Sequence, residues 1–325
     1  MRTARPRSRT PVRSPRSRTA RAAAVLAAAA LALTACGSGA PDAASRPRGA
    51  APAGAIPTTD VVSGIEKDPA VAKLLPADVR ARGTLTLAVS VGTPPAAAYP
   101  EDGGTVVGQD IDMAEAVARV LGITLKREVA SFEAILPALG SGKYDLGTGN
   151  FGVTEERRRV IDFVTYINDG QGFAAREDSP LRKVTSLEQL CGQTVATGAG
   201  TTFEATLEKN RSRCAAAGKE PYEVRTYAEE AAMWISLRQG HSDVVMSTIN
   251  GLRYAVRQQE GVRFLNEFKR LDVGFAFKKG TPLAPAFQAA VNKLHKNGDY
   301  ARILKKWGTS ASAIPVSRIS PPEIR

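Results

Sequence analysis

Apolar and polar positions along the chain alternate between strand-like runs and helical faces. Residues 85–89 (LTLAV) form a compact β-prone run. In residues 111–121 the apolar side chains recur every three or four positions, so this stretch predicts an amphipathic helix that ends at Gly122. Similar runs and faces continue to alternate after it. The pattern predicts α/β layers around a mainly parallel sheet.

A weak internal repeat indicates that one structural unit occurs twice. Residues 139–146 (LGSGKYDL) and 237–244 (LRQGHSDV) each contain a helix end, a glycine and an aspartate that begins a strand, in the same order. Glycine readily takes the left-handed conformation that ends many helices. The repeat favours two α/β lobes of similar topology, although glycine caps are common enough to arise independently.

Much of the positive charge lies at the N-terminus. The chain has 325 residues and a net charge of +12, but eight arginines and no acidic residue lie in the first 35 positions. Without that segment, 36 basic side chains face 32 acidic ones, so no binding to nucleic acid is predicted. Two histidines and three cysteines are too few for a His/Cys metal cage. We predict neither a metal nor another cofactor.

Residues 1–35 are predicted to be a lipoprotein signal peptide. Their charge-free run at residues 22–35 is shorter than the ~20 apolar residues of a membrane span, whereas a basic segment before a short apolar core is typical of a secretory signal. The residues LTACG around Cys36 resemble the lipobox of bacterial lipoproteins. The resemblance implies that Cys36 is lipidated and anchors the protein on the outer face of the cell membrane. An ordinary signal peptide with a chance cysteine is the alternative.

The segments at either end of the predicted globular part have the composition of linkers. Residues 36–66, which begin at the anchor, are mostly Gly, Ala, Pro and Ser up to residue 58 and are expected to form a flexible tether. Three prolines mark residues 309–325 as a C-terminal tail that need not be ordered.

A series of short motifs from about residue 75 to residue 308 resembles the extracellular solute-binding proteins, family 3, of polar amino-acid ABC importers. The motifs in the first half are GQDIDM at 108–113, ILPAL at 135–139, GKYD at 142–145 and VTEER at 153–157. Those in the second half are GTT at 200–202, GFAF at 274–277 and a closing-helix pattern at 300–308. Their order along the chain makes the resemblance more specific than any single motif.

The resemblance implies a two-lobed periplasmic-binding-protein-like fold. Two α/β sandwich lobes would be joined by a two-strand hinge, and a solute would bind in the cleft between them when the hinge closes. Lobe 1 is expected to comprise residues 67–167 and 275–308, and lobe 2 residues 172–271. The chain is expected to cross between the lobes near residues 167–171 and 271–275.

The resemblance also assigns the solute's carboxylate to Arg157, in the pattern Thr154-x-x-Arg157. A guanidinium offers a planar fork of donors that meets both carboxylate oxygens at once. The alternative is that Arg157, together with Arg158 and Arg159, belongs to a solvated helix start that Thr154 caps.

Further candidate ligand residues come from the same family pattern. In lobe 2, the small residues before Gly200, Thr201 and Thr202 would let a carboxylate approach the N–H groups at a helix start. The remaining candidates are Asn150, Phe151, Gly152 and Tyr99.

Several positions depart from the family pattern and bear on the identity of the solute. Thr248 stands where amino-acid receptors of the family carry an acid for the ammonium group, and a hydroxyl supplies no countercharge. Usual aromatic positions hold Ala96 and Gln109, which leaves four aromatic candidates for the pocket: Tyr99, Phe132, Phe151 and Phe203. An amino acid is the expected solute, with an organic acid or an amino-acid derivative as alternatives.

These features predict a monomeric, non-enzymatic receptor that delivers a small polar solute to an ABC permease. One alternative is a receptor that signals to a membrane partner. Another is an enzyme, because the fold also resembles dehydratases that act on cyclohexadienyl acids. Neither His241 nor His295 matches a cleft motif that could supply a general acid or base.

Cys191 and Cys214 are predicted to form a disulfide in lobe 2. With Cys36 lipidated, these are the two thiols that remain, and paired cysteines persist in the oxidising exterior. The alternative is a pair of buried free cysteines.

Overall fold

The computed structural model describes residues 56–100 and 102–324. In this part of the chain, eight strands form one mixed sheet in the order β2-β1-β3-β8-β4-β7-β5-β6. The strands are β1 Thr84–Val89, β2 Thr124–Val129, β3 Leu146–Thr148, β4 Ile161–Arg176, β5 Thr194–Gly198, β6 Glu223–Tyr227, β7 Val244–Thr248 and β8 Val262–Lys278.

Helices connect these strands, as the alternating pattern predicts. The first five are α1 Pro69–Ala72, α2 Ala77–Arg82, α3 Gln109–Leu121, α4 Phe132–Ser141 and α5 Glu155–Arg158. The others are α6 Thr202–Asn210, α7 Ser212–Ala216, α8 Glu230–Arg238, α9 Ile249–Gln258, α10 Ala284–Asn297 and α11 Asp299–Trp307. Two short 3-10 helices cover Leu187–Leu190 and Ser310–Ser312.

Two long antiparallel strands join the two ends of the sheet. At one end β1 is parallel to β2 and β3, and at the other β5 is parallel to β6 and β7. The strands β4 and β8 pair along almost their whole length. In addition, β8 pairs with β3 at the first end of the sheet and β4 pairs with β7 at the other. Asn168 faces Asp272 and Asp169 faces Leu271 at the middle of this pair. The predicted two-lobed α/β fold with a two-strand connection is therefore confirmed.

The buried apolar side chains follow the same division. Two clusters contain side chains from the β1–β3 end, including Leu87 and Phe275. Two others contain side chains from the β5–β7 end, including Phe173 and Trp234. None of the four clusters of the described chain combines residues of both predicted lobes, so each lobe has its own core.

The internal repeat has the same structural role in each lobe. Gly142 and Gly240 both take the left-handed conformation, with φ of 79° and 75°. The carboxylate of Asp145 accepts from the backbone N–H of Thr86 at 2.7 Å, and that of Asp243 accepts from Thr194 at 2.8 Å. Each aspartate thus ties the strand it precedes to the first strand of its lobe.

The C-terminal residues, expected to be a tail, pack along β4. The Ser317 hydroxyl donates to the carbonyl of Thr165 at 2.6 Å, and the N–H of Arg318 donates to the Thr165 hydroxyl at 2.8 Å. Ile319 forms an isolated bridge with Val164. Proline content alone does not reveal this packing, because the hydrogen-bond partners lie about 150 residues earlier in the chain.

The predicted disulfide is confirmed. Cys191 and Cys214 are joined with an S–S distance of 2.01 Å and a Cα–Cα distance of 5.6 Å. The bridge links the residue after the first 3-10 helix to α7, within the second lobe. Cys36, the predicted lipidation site, lies outside the described residues. Among the helices that are described, none has both the length and the apolar character needed to cross a membrane.

Candidate functional site

A cavity of about 250 Å³ lies between the two lobes. Its first wall is formed by residues that follow β1, β2 and β3, and its second wall by residues that follow β5, β6 and β7. Ligands of α/β proteins commonly bind at the carboxyl ends of parallel strands. Among the predicted site residues, those lining the cavity are Asn150, Gly152, Arg157, Thr201, Thr202 and Thr248.

Arg157 contacts both walls of the cavity. It lies in the short helix α5, where its backbone N–H donates to the Thr154 hydroxyl at 3.2 Å. Its guanidinium donates from Nη1 to the carbonyl of Gly152 and from Nη2 to the carbonyl of Gly200, each at 3.2 Å. Within the described chain it forms no ion pair with a carboxylate. Burial lowers the pKa of Arg157 to about 10, so the group stays positively charged at neutral pH.

Two aromatic rings lie next to the Arg157 guanidinium. Its central carbon lies 5.7 Å from the centroid of the Phe132 ring and 5.9 Å from that of Phe151. The two rings stack on each other at 4.8 Å. The faces of aromatic rings attract cations, so these rings stabilise the guanidinium without neutralising it.

The neighbouring Arg158 has a different role. It pairs with Glu155 at 2.7 Å and donates to the carbonyl of Ser320 at 2.9 Å. These contacts attach it to the C-terminal segment, and it does not line the cavity. Arg157 and Arg158 thus share the helix start that Thr154 caps, but of the two only Arg157 lines the cavity.

The Gly200 loop is only partly available to an anion. Gly200 has φ of +69°, and a Cβ atom there would lie 3.0 Å from the Cβ of Glu133 across the cleft. Its N–H already donates to the Glu204 carboxylate at 2.7 Å. Glu204 therefore occupies this one donor, and the approach of a solute's carboxylate to the N–H groups at this helix start stays a prediction. The Thr201 hydroxyl caps α6 by accepting from the N–H of Glu204 at 3.3 Å.

Asn150 is held in the first wall by two buried carboxylates. Its backbone, with φ of 54°, donates to Asp110 at 2.9 Å, and its side-chain amide donates to Asp169 at 2.9 Å. Asp169 also accepts from the N–H of Asn250 at 3.1 Å. Burial raises the pKa of Asp169 to about 6. This carboxylate thus connects β4 to the loop after β3 and to the start of α9.

Two aromatic candidates do not line the cavity. Tyr99 is 53% exposed and lies away from it, so its predicted role is not supported by this placement. Phe151 is fully buried behind Arg157. Phe132 and Phe203 are the two other aromatic candidates, and both reach the cavity surface.

Thr248 lines the second wall, but its hydroxyl caps a helix. The side-chain oxygen accepts from the N–H of Gly251 at 3.0 Å at the start of α9. The residue is 7% exposed and adds no charge.

Glu230 is a cavity residue that the sequence analysis missed. It is the first residue of α8, and its Oε1 accepts from the Trp234 indole N–H at 2.9 Å. Its Oε2 is buried and lacks a hydrogen-bond partner in the described structure. Burial raises the pKa of Glu230 to about 7, against a smaller opposing contribution from the Trp234 and Thr93 side chains. Acidic residues are common in the first turn of any surface helix, so the sequence carries no signal that sets this one apart.

Comparison with known proteins identifies the relatives of this chain. The family model for bacterial extracellular solute-binding proteins, family 3, matches residues 85–310. The arginine-binding protein of Corynebacterium glutamicum is 30% identical over 245 residues, which cover 74% of this chain and 79% of the relative.

Solved structures agree with these sequence matches. An ancestral arginine-binding protein bound to arginine has a TM-score of 0.63 and 30% identity, and the match covers 70% of this chain and 98% of that one. An ancestral amino-acid-binding protein described as a precursor of cyclohexadienyl dehydratase has a TM-score of 0.63 and 26% identity over 71% of this chain and 97% of that one. These named relatives are binding proteins, which confirms the prediction that the chain is not an enzyme.

Proposed function

The chain belongs to the bacterial extracellular solute-binding proteins of family 3, and from this premise we propose that it captures a small solute with a carboxylate, foremost an amino acid, and delivers it to an ABC importer. The solute binds between lobe 1 (residues 67–167 and 275–308) and lobe 2 (residues 172–271), which close around it. The receptor acts as a monomer on the extracytoplasmic face of the cell membrane, to which a lipid on Cys36 anchors it.

The observation that carries this proposal is the unpaired guanidinium of Arg157 in the cavity. It donates to one backbone carbonyl of each lobe, at Gly152 and Gly200, and has no carboxylate partner among the described residues. A carboxylate placed against the remaining donors of the fork would gain a charge-assisted, bidentate interaction. Because the group contacts both lobes, a solute bound to it also favours the closed arrangement.

A thermal-shift screen of the mature protein tests this proposal. The panel contains the amino acids, with L-arginine and L-cystine among them, and small organic acids that lack an ammonium group. A solute at 100 times its dissociation constant adds ~2.7 kcal/mol to the free energy of unfolding. We expect at least one amino acid to raise the melting temperature. A screen in which only organic acids do so would exclude an amino-acid receptor.

The anchor is tested separately. Replacing Cys36 with Ser should abolish labelling by a fatty-acid analogue and release or mis-process the protein, because the acylated thiol is lost. Unchanged labelling would exclude Cys36 as the lipidated residue.

A further inference from the structure

The cavity contains a second charged group that the proposed carboxylate site does not use. Glu230 projects from the second wall, where Trp234 donates to one of its carboxylate oxygens and the other oxygen, Oε2, is buried without a hydrogen-bond partner in the described part of the chain. A buried carboxylate without a full set of partners is costly, and such groups are rare outside functional sites.

The neighbouring groups do not supply a countercharge. In the described cavity lining, the charged side chains are Arg157 on the first wall and Glu229 and Glu230 on the second. No ion pair to Glu230 occurs in the described structure, and its pKa shift has no contribution from a charged side chain. Thr93, in the loop after β1, lowers this pKa through its side chain but carries no charge. Tyr227 on β6 donates its hydroxyl to Ser236 at 2.6 Å. Glu230 therefore has no countercharge in the described chain, and a cationic group of the solute could supply one.

The position that would ordinarily hold an acid cannot take this role. Thr248 has no charge, and its side-chain oxygen already accepts from the N–H of Gly251. The acid available to a cationic group in the cavity is therefore Glu230 at the start of α8. The end of β7, at Thr248, offers no acid.

Resting on the proposed function, we propose that Glu230 binds a positively charged nitrogen of the solute while Arg157 binds its carboxylate. The receptor then selects solutes that carry both charges, and the acid that pairs with the cation stands on the second wall at the start of α8. The cationic nitrogen has two possible sources, the α-ammonium group of an amino acid or a charged side chain such as a guanidinium.

Titration calorimetry at pH 8 with L-arginine and L-citrulline tests this proposal. Citrulline keeps the α-ammonium and the carboxylate of arginine but replaces its guanidinium with a neutral urea. Removing one partner of a buried charge pair costs ~2 to 5 kcal/mol, so Glu230→Gln should weaken arginine binding at least about 30-fold. Glu208→Gln is the control, because Glu208 lies on α6 in the same lobe, is exposed and does not line the cavity. It should change affinity less than about threefold.

The two solutes distinguish the sources of the cation. If Glu230 binds the α-ammonium group, Glu230→Gln weakens arginine and citrulline alike. If it binds the guanidinium, the wild type prefers arginine and the variant loses that preference. Wild-type affinity for both solutes in Glu230→Gln would overturn the inference, and so would a wild-type protein that binds neither. The proposed function would still stand if Arg157→Ala abolished the binding of another amino acid.

Stability without solute provides a second readout. If Glu230 has a purely structural role through Trp234, Glu230→Gln should lower the melting temperature. If Glu230 instead binds the solute's cation, it is uncompensated without solute. Replacing this buried carboxylate with a neutral amide should then leave the melting temperature unchanged or raise it. A clear loss of stability combined with unchanged binding would assign Glu230 to the structure alone.

Discussion

The two walls of the cavity are built from similar strand and helix units but present opposite charges. On the first wall, Arg157 lies against two stacked aromatic rings and donates to two backbone carbonyls. On the second wall, Glu230 accepts from the Trp234 indole and has the uncharged Thr93 side chain near it, but no cationic partner in the described structure. Burial shifts the pKa of each group, and neither forms a salt bridge with the other wall in the described structure. If both groups bind the solute as we propose, recognition of a dipolar solute is divided between the lobes.

Arg157→Ala should have the largest effect on this division. The change removes the positive side of the cavity and should weaken binding of the amino acid by ~2 to 5 kcal/mol, because one partner of a buried charge pair is lost. Arg158→Ala is the control, since Arg158 pairs with Glu155 outside the cavity. Calorimetry measures both variants. Equal affinities in the two would disprove the assignment of the carboxylate site.

The two lobes differ in covalent cross-linking, and the disulfide should make lobe 2 the more stable. Lobe 2 has the Cys191–Cys214 bridge across a separation of 23 residues, whereas the described part of lobe 1 contains no cysteine. Replacing both cysteines with Ser should lower the free energy of unfolding by ~3 kcal/mol in the chain-entropy model. Denaturant unfolding measures this loss. Alkylation of the denatured, unreduced wild type should add no groups at these positions, and two added groups would show that the bridge is absent.

The second wall should also make binding depend on pH. Glu230 has a pKa of about 7 without solute, and a bound cation would lower it. Affinity is then fully present above pH 7 and is lost as pH falls through 7, by about tenfold between pH 8 and pH 6. Glu229 and Arg157 are the other charged groups lining the described cavity. Calorimetry on the wild type and Glu230→Gln tests this, and a pH dependence that persists in the variant would contradict it.

Thr248→Asp should have the smallest effect. Asp caps helices as well as Thr does, and an added acid near a cationic solute should leave binding unchanged or strengthen it, by about 1 kcal/mol at most. A folded Thr248→Asp protein, checked by circular dichroism, that loses its affinity for amino acids would indicate a solute without a cationic nitrogen at this wall.

Much of the fold follows from local patterns in the sequence. Neighbouring residues are enough to predict the alternation of strands and helices and the repeated glycine and aspartate. A count of the thiols is enough to predict that the two later cysteines pair. The role of Arg157 could also be predicted from local sequence, because the family pattern Thr154-x-x-Arg157 spans four residues.

The remaining features of the site depend on contacts that local patterns do not contain. Glu230 resembles an ordinary acid of a helix start until packing buries it beside Trp234. Glu204 accepts a hydrogen bond from the N–H of Gly200 because α6 begins directly after that loop. Tyr99 is aromatic but is exposed and does not line the cavity, and the tertiary arrangement decides this exposure.

A crystal structure of the mature protein with L-arginine tests the central claim most directly. The account predicts the solute between the lobes, with its carboxylate about 2.7 to 2.9 Å from the Arg157 guanidinium and a cationic nitrogen at a similar distance from Glu230 Oε2. An empty cavity at saturating arginine, or a solute whose carboxylate does not contact Arg157, would contradict it.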